Sequence, residues 1–261
     1  MSASIQVECA DTVATVTLSN PAKLNALTAV MWQDLARVMR QLSENDDLRC
    51  IVLRGAGESA FAAGADIDEF AQVRNNVEQG KVYHLEYVHG ALQAVGDCRH
   101  PTVAMIHGPC VGGGFEIACQ CDLRISGESG RFGVPINRLG FTIGCEELAA
   151  LLPLVGRAVA LEILLEGRVW DAQEASAKGL LTRVVPDSRL KEETYATAQR
   201  IAAGAPLVAR WHKQLVRRLT PRPMPLTSAE IEENFAYFNT EDYRIGYDAF
   251  INKKKPKFVG R

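Results

Sequence analysis

Two glycine- and alanine-rich segments, each preceded by a short apolar run, constrain the fold of this chain most. Residues 61–67 follow the run at 50–53, and residues 112–116 follow the run at 102–106. Each run is typical of a buried strand, and each segment exposes main chain where a helix is about to begin. The pattern therefore predicts an α/β fold in which two stretches of bare backbone lie beside strand ends.

The same segments can form a site that stabilises negative charge on an oxygen atom. Small residues let a ligand approach the backbone closely, so the N–H groups of Ala65 and Gly113 can act as fixed donors towards one carbonyl oxygen. The N–H of Gly113 would also lie at a helix start, where the helix dipole favours an anion. Close packing of the helix on a strand is the alternative explanation for the glycines.

Glu116 is the candidate acid–base residue. Apolar residues follow it at 117–119, which predicts partial burial, and burial raises the pKa of a carboxyl group towards the range of a general base. A solvated glutamate that complements the helix dipole is the alternative. We expect Asp66 to cap the following helix.

The remaining pattern predicts strands up to about residue 185 and helices from there to the end. A core of residues 1–200 and a helical C-terminal region of residues 201–261 are expected, with the proline-rich residues 221–225 as the best candidate linker. Residues 67–95 are expected to be helical but irregular. Predicted strands are 5–9, 13–18, 50–53, 102–106, 123–126 and 180–185, and predicted helices are 28–43, 112–121, 146–152, 158–166, 172–178, 205–218, 228–238 and 242–252.

Composition excludes several classes of function. The formal net charge of −2 does not favour binding to nucleic acid. Seven scattered cysteines favour reduced thiols over disulfides, and Cys119 and Cys121 lack a second Cys/His pair, so no metal site is expected. No apolar run of about 18 residues and no leader pattern is seen, which predicts a cytoplasmic protein without a membrane segment. The Gly-x-Gly-x-x-Ala pattern at 55–60 predicts turn glycines rather than a dinucleotide site.

The chain resembles the crotonase (enoyl-CoA hydratase/isomerase) superfamily over nearly its whole length. The resemblance implies a β-β-α spiral core, a helical C-terminal region for trimerisation, and homotrimers that usually pair into hexamers. It also implies an acyl-CoA thioester substrate whose enolate the enzyme stabilises, with no metal or redox cofactor because CoA is part of the substrate. The matching stretches are residues 20–27, the two segments above, and residues 131–135, 174–180 and 250–255.

The resemblance also implies residue roles. Ala65 and Gly113 would hold the thioester oxygen, with Glu116 as the catalytic carboxyl group. Phe250 and Lys253 would contact the CoA end from a neighbouring subunit. The expected path of the acyl-CoA passes Leu24, Ala63, Ala65, Asp66, Ile67 and Gly113.

One departure from the family pattern bears on the reaction. Hydratases with two glutamates carry the second directly after the proline of a Phe-Gly-x-Pro motif, and that position is Ile136, which cannot transfer a proton. Enoyl-CoA hydration is expected; isomerisation, decarboxylation or catalytically silent CoA binding is the alternative. Asp68 also replaces a lysine that many relatives carry near the CoA phosphates. Possible substitutes for the second glutamate, nearby in sequence, are Asn137, Cys145, Glu146 and Glu147.

Overall fold

A six-stranded sheet forms the core of the computed structural model, which describes residues 3–220 and 226–261. The candidate linker at 221–225 lies outside the described residues. Strands β1 and β2 are antiparallel, and every later neighbour pair in the order β1-β2-β3-β4-β6-β9 is parallel. The strands are β1 (Ser4–Ala10), β2 (Val13–Ser19), β3 (Cys50–Gly55), β4 (Thr102–Ile106), β5 (Pro109–Val111), β6 (Leu123–Gly127), β7 (Arg131–Gly133), β8 (Trp170–Asp171) and β9 (Arg183–Val185).

Helices cover both faces of this sheet, as a parallel sheet requires. One face packs against α1 and α4 in the main apolar cluster. The other packs against α8 through Leu190 and Ala198. The α-helices are α1 (Ala29–Glu44), α2 (Phe70–Val73), α3 (Val77–Lys81), α4 (His89–Asp97), α5 (Gly113–Gln120), α6 (Cys145–Glu166), α7 (Ala172–Ala177), α8 (Asp187–Ala202), α9 (Pro206–Leu219), α10 (Ser228–Asn234) and α11 (Glu241–Ile251).

Helix α1 shows how the local sequence determines where a helix begins and which face it buries. The hydroxyl of Thr28 accepts a hydrogen bond from the N–H of Met31 at 3.2 Å, so Thr28 is the N-cap of the helix predicted at 28–43. A cap of this kind stabilises a helix by about 1 kcal/mol. The buried face of α1 includes Trp32 and Leu35, which later matter for the site.

A second, three-stranded sheet in the order β5-β7-β8 was not predicted. Its strands have two or three residues each, too few to show an alternating pattern. Strand β5 starts just after β4 and runs parallel to β7. It therefore lies between the first sheet and the glycine segment that precedes α5.

The region from 67 to 97 is helical but irregular, as predicted. A 3₁₀ turn at Ile67–Glu69 leads into α2, and a π-helix at Val82–Val88 joins α3 to α4. Segments of π-helix are rare and are frequent at functional sites. This one carries the buried Tyr83 and, next to it, His84.

Element α6 spans 22 residues and contains both predicted helices, at 146–152 and 158–166, on either side of a break. Its backbone leaves the helical conformation at Gly156, with φ 74° and ψ 169°. By length and composition alone, α6 is long and apolar enough to cross a membrane, with a mean hydropathy of 2.0, so the expectation that no stretch would meet this criterion is corrected. Core helices of globular proteins meet the same criterion.

The C-terminal third is helical, as predicted. Helix α8 ends at Ala202 and α9 follows, so the expected domain boundary at residue 200 falls inside α8 and stays a prediction. A 3₁₀ turn at Ala236–Asn239 connects α10 to α11. The last residues fold back on the start of α11, where the carboxylate of Asp242 accepts hydrogen bonds from the N–H groups of Val259 and Gly260.

Candidate active site

Main-chain hydrogen bonds to strand β5 bring the two glycine segments together. The N–H of Ala62 donates to the carbonyl of Pro109 at 3.1 Å, and the N–H of Val111 donates back to the carbonyl of Ala62 at 3.1 Å. A second contact holds the first segment from the other side, because the N–H of Leu27 donates to the carbonyl of Gly64 at 2.8 Å. The unpredicted strand β5 is thus the element that fixes the site.

Ala65 and Gly113 lie on the two segments that this junction joins. A Cβ atom placed on Gly64 would lie 3.7 Å from the nitrogen of Gly113, so the two segments are in direct contact. Neither N–H has a hydrogen-bond acceptor within residues 3–220 and 226–261, and both residues line one cavity. The structure therefore places both of the residues that the sequence analysis selected at one cavity, and their role as donors stays a prediction.

The glycines also meet a packing requirement. Gly112 has φ 48° and ψ −124°, a conformation that strongly favours glycine. A methyl group on Gly113 would lie 2.6 Å from the indole of Trp32, and one on Gly114 would lie 2.4 Å from the carbonyl of Ala62. Both explanations offered for the triple glycine thus apply to the same residues.

Glu116 lies in the first turn of α5 and faces the same cavity. Burial and, second to it, the negative charge of Glu147 raise the pKa of its carboxyl group to about 8, against the opposing positive charge of Arg74. A carboxyl group with this pKa exchanges protons near neutral pH, as a general acid or base must.

Trp32 and Tyr83 form the wall behind Gly113. The indole Nε1–H of Trp32 donates to the hydroxyl of Tyr83 at 3.0 Å, and both side chains are buried. Burial raises the pKa of Tyr83, so its hydroxyl keeps its proton. This pair fixes the apolar surface on which the helix start rests.

Ile136 lines the cavity beside Glu116 and supplies no carboxylate there. Of the possible substitutes, Glu147 is the one that reaches the neighbourhood of Glu116. Its side chain is 5% exposed, and Oε1 lies 3.9 Å from Nδ1 of His84. Asn137 is instead held by the carbonyl of Leu165, to which its amide donates at 2.9 Å.

His84 was not selected from the sequence, and it lines the cavity. Its two ring nitrogens are buried without a hydrogen-bond partner in the described part of the chain. Burial lowers the pKa of His84, and the positive charge of Arg74 lowers it further. The imidazole is therefore neutral at neutral pH.

Asp66 caps the turn that follows it, as expected. Its carboxylate accepts a hydrogen bond from the N–H of Asp68 at 3.3 Å. The ammonium of Lys23 donates to Asp66 at 2.7 Å and to Asp68 at 2.7 Å. Asp68, which stands where many relatives carry a lysine, is thus ion-paired at the cavity rim.

Most residues expected along the acyl-CoA path line the cavity: Ala63, Ala65, Asp66, Ile67, Gly113 and Phe250. Leu24 and Lys253 do not. Leu24 is bound instead to the first segment, since its carbonyl accepts the N–H of Ala63 at 3.0 Å. Phe250 lies at the cavity of its own chain, together with Lys254 and Lys255, and its contact with the CoA of a neighbouring subunit stays a prediction.

The cavity has a volume of ≈ 1060 Å³, enough for a large ligand, since ligand pockets typically measure about 300–1,000 Å³. Its rim is charged, and its interior is lined by aromatic and aliphatic side chains together with Arg74 and Glu116. The interior residues are Trp32, Phe70, Arg74, Tyr83, His84, Val88, Glu116, Ile136 and Phe141.

The other sequence motifs take no part in this site. Gly55 ends β3, and Gly57 has φ 69° in a turn, so the pattern at 55–60 consists of turn glycines. The seven cysteines are free thiols. Among residues 3–220 and 226–261, no cluster of three or more His, Cys, Asp or Glu side chains has a metal-binding arrangement.

Comparisons with known proteins identify the family of this chain. A sequence model of the family "Enoyl-CoA hydratase/isomerase" matches residues 8–261. A probable enoyl-CoA hydratase of Rhizobium meliloti (strain 1021) is 36% identical, with 99% of this chain and 98% of that protein covered.

Solved structures give the same result. An enoyl-CoA hydratase/carnithine racemase from Magnetospirillum magneticum has a TM-score of 0.82 at 48% identity, covering 98% of this chain and 96% of that one. Methylmalonyl-CoA decarboxylase complexed with 2S-carboxypropyl-CoA has a TM-score of 0.88 at 28% identity, covering 98% of both chains.

The fold and site together define an α/β protein of the crotonase fold, with two main-chain donors beside a carboxyl group at one cavity. The chain belongs to the enoyl-CoA hydratase/isomerase family.

Proposed function

We propose that this protein catalyses the addition of water to the double bond of a 2-enoyl-CoA. The N–H groups of Ala65 and Gly113 bind the thioester oxygen, and Glu116 carries out the proton transfers. The observation that supports this best is the junction itself. Two N–H donors that have no acceptor in the described part of the chain lie at the same cavity as a carboxyl group with a pKa of about 8.

The reaction follows from these positions. In its ionised form Glu116 takes a proton from water as the water oxygen bonds to C3, and the electron pair of the double bond moves onto the thioester. The resulting enolate oxygen is held by the two N–H groups, and each such donor typically contributes about 3 kcal/mol to stabilising the charge. Glu116 then returns the proton to C2, so one carboxyl group suffices when Ile136 supplies none.

The test uses crotonyl-CoA and follows the loss of conjugated thioester absorbance. We expect turnover by the wild type and a loss of about 10²–10⁴-fold in Glu116→Gln, the usual contribution of a positioned acid–base group. Glu146→Gln, which changes an exposed neighbour, serves as the matched control and should retain activity. No turnover by the wild type, with CoA binding retained, would exclude hydration.

Decarboxylation is a second candidate. Two observations favour it: the high structural similarity to methylmalonyl-CoA decarboxylase, at a TM-score of 0.88, and the apolar Ile136 in place of a second carboxylate. In this reaction the carbon–carbon bond to the carboxylate breaks, CO₂ leaves, and the enolate is held by the same N–H groups before C2 is protonated. Release of CO₂ from methylmalonyl-CoA, with no hydration of crotonyl-CoA, would favour this candidate.

We further propose that the basic C-terminal segment contacts the phosphates of CoA. Lys254 and Lys255 are exposed at the cavity rim, and Arg138 lies there as well. Such contacts are electrostatic, so affinity for free CoA should fall as salt rises. Replacing both lysines with methionine should weaken that salt dependence; an unchanged salt dependence would count against the contact.

The assembly is proposed to be a homotrimer or a hexamer of paired trimers. Helix α9 leaves an apolar face exposed in the single chain, and exposed patches of this kind commonly mark subunit contacts. Sedimentation should detect the trimer or hexamer, and Leu215→Glu should shift it to smaller species while Gln214→Glu on the same helix should not. The exposed apolar side chains of α9 are Leu207, Val208, Trp211, Leu215, Val216 and Leu219.

Two further expectations remain proposals. The site chemistry needs no metal or redox cofactor, because the CoA thioester supplies the acidity, so activity should survive dialysis against a chelator. A cytoplasmic location is proposed, and cell fractionation with the protein in the membrane pellet would overturn it.

A further inference from the structure

Arg74 is a buried cation in the interior of the substrate cavity. Its side chain is 2% exposed, and it lines the cavity together with Glu116 and Phe141. The other cationic side chains that line the cavity in the described part of the chain are all exposed: Lys23, Arg138, Lys254 and Lys255. Arg74 therefore lies in the interior of the cavity rather than at its rim.

The guanidinium of Arg74 has few internal partners. Nη2–H donates to the hydroxyl of Tyr237 at 2.7 Å, whereas Nε–H is buried and has no acceptor among the residues that the structure describes. Every Asp and Glu of the chain lies within residues 3–220 and 226–261, and none has a carboxylate oxygen within 4.0 Å of this guanidinium. A buried cation without a carboxylate partner is costly, so such groups in folded proteins are generally paired.

Aromatic rings offset part of that cost. The guanidinium carbon lies 4.2 Å from the centroid of Phe141 and 4.7 Å from that of Phe70. Rings that stack on a guanidinium cover its faces, whereas its five N–H donors point outwards in its plane. The aromatic contacts therefore position the group and cover its faces, so an anion would be bound by the N–H donors in its plane.

The edge of an arginine side chain matches one anion particularly well. A carboxylate accepts two parallel N–H bonds from a guanidinium, and each is stronger than a bond between neutral groups. His84 is neutral, as described above, and so offers no competing positive charge beside Arg74. Among the described residues that line the interior of the cavity, Arg74 is thus the cation available to a carboxylate of a ligand.

We propose that the acyl group of the substrate carries a carboxylate and that Arg74 binds it. This inference rests on the proposed acyl-CoA function, and it names the substrate class as CoA thioesters of dicarboxylic acids. The thioester oxygen lies at the N–H groups of Ala65 and Gly113, and the distal carboxylate lies at Arg74.

Binding of saturated CoA esters tests this without requiring turnover. Succinyl-, glutaryl- and adipoyl-CoA are compared by calorimetry with their uncharged counterparts pentanoyl-, hexanoyl- and heptanoyl-CoA. We expect at least one charged ester to bind ~10- to 100-fold more tightly than its counterpart, the range for a hydrogen bond between charged groups. Weaker or equal binding of the charged ester in all three pairs would overturn the proposal.

Variants then assign the effect to one residue. In Arg74→Gln the ratio of the binding constants of the charged and uncharged esters should fall to about one. Arg74→Lys keeps the positive charge and should retain part of the preference for the charged ester. Arg138→Gln removes an exposed arginine from the same cavity and should leave the ratio unchanged. A ratio lost in Arg138→Gln but kept in Arg74→Gln would refute the assignment. Thermal unfolding checks that each variant is folded, and the wild-type ratio alone decides the proposal if Arg74→Gln does not fold.

The results separate this inference from the proposed function. If crotonyl-CoA is hydrated but charged esters have no advantage, only the dicarboxylic substrate class is wrong. If no CoA ester binds, both proposals are wrong.

Discussion

Replacing Glu116 with glutamine should make the protein more stable while it removes the acid–base group. Burial and the charge of Glu147 raise the pKa of Glu116 from 4.5 to about 8. Between these values the folded protein keeps a proton that the unfolded chain has released, so the free energy of unfolding falls as the pH rises. Glutamine cannot titrate and should escape this loss.

The magnitude follows from the two pKa values. The pKa of Glu116 rises from 4.5 to about 8, and each pH unit corresponds to about 1.36 kcal/mol, which gives a destabilisation of about 5 kcal/mol once the pH exceeds 8. Water in the cavity screens part of this charge, so about 5 kcal/mol is an upper value.

Urea unfolding at fixed protein concentration, from about pH 5 to about pH 9, measures the effect. Glu116→Gln should gain stability relative to the wild type as the pH rises and should differ little from it at the acid end. The exposed Glu146→Gln should follow the wild type at every pH. A stability difference between Glu116→Gln and the wild type that does not change with pH would refute the reasoning.

Two further predictions concern the same site. Gly113→Ala should lower crotonyl-CoA hydration and destabilise the fold by about 1–3 kcal/mol, the usual cost of overpacking, because the added methyl would lie 2.6 Å from Trp32. The rate assay measures the first effect and urea unfolding the second. Gly204→Ala, in which the nearest contact of the added methyl is an ordinary 3.4 Å, should change neither. Glu147→Gln should shift the rise of activity with pH to lower pH, because the charge of Glu147 helps to raise the pKa of Glu116; the pH–rate profile tests this, and an unchanged midpoint would show that burial alone sets the pKa.

Much of the fold could be predicted because its signals are local. Thr28 has the side chain of an N-cap, and α1 follows it with a regular apolar face. Strand β4 reads as a continuous apolar run, and the structure gives the same bounds, Thr102–Ile106. Strands β5, β7 and β8 were missed because two or three residues carry no periodicity, and their pairing depends on partners distant in sequence.

The site divides in the same way. Ala65, Gly113 and Glu116 could be selected because each follows a strand signal and lies in a stretch of small residues. Arg74 directly follows α2 with a non-helical backbone, and His84 lies in a π-helix, so no regular spacing indicates that these side chains point inwards. Glu147 was named as a neighbour in sequence, but its burial depends on how α6 packs, which the sequence pattern does not specify.

The structure explains how one carboxyl group can serve where two-glutamate relatives use two. A single group must accept a proton and return it, so its two protonation states must be close in energy at the working pH. An apolar cavity with a nearby carboxylate stabilises the protonated form of Glu116, whereas Arg74 stabilises the ionised form. A distal carboxylate bound by Arg74 would neutralise that cation, so the pKa of Glu116 should rise when such a ligand binds. The proposed substrate class and the proton transfer are therefore coupled, and glutaryl-CoA should raise the pKa of Glu116 more than hexanoyl-CoA does.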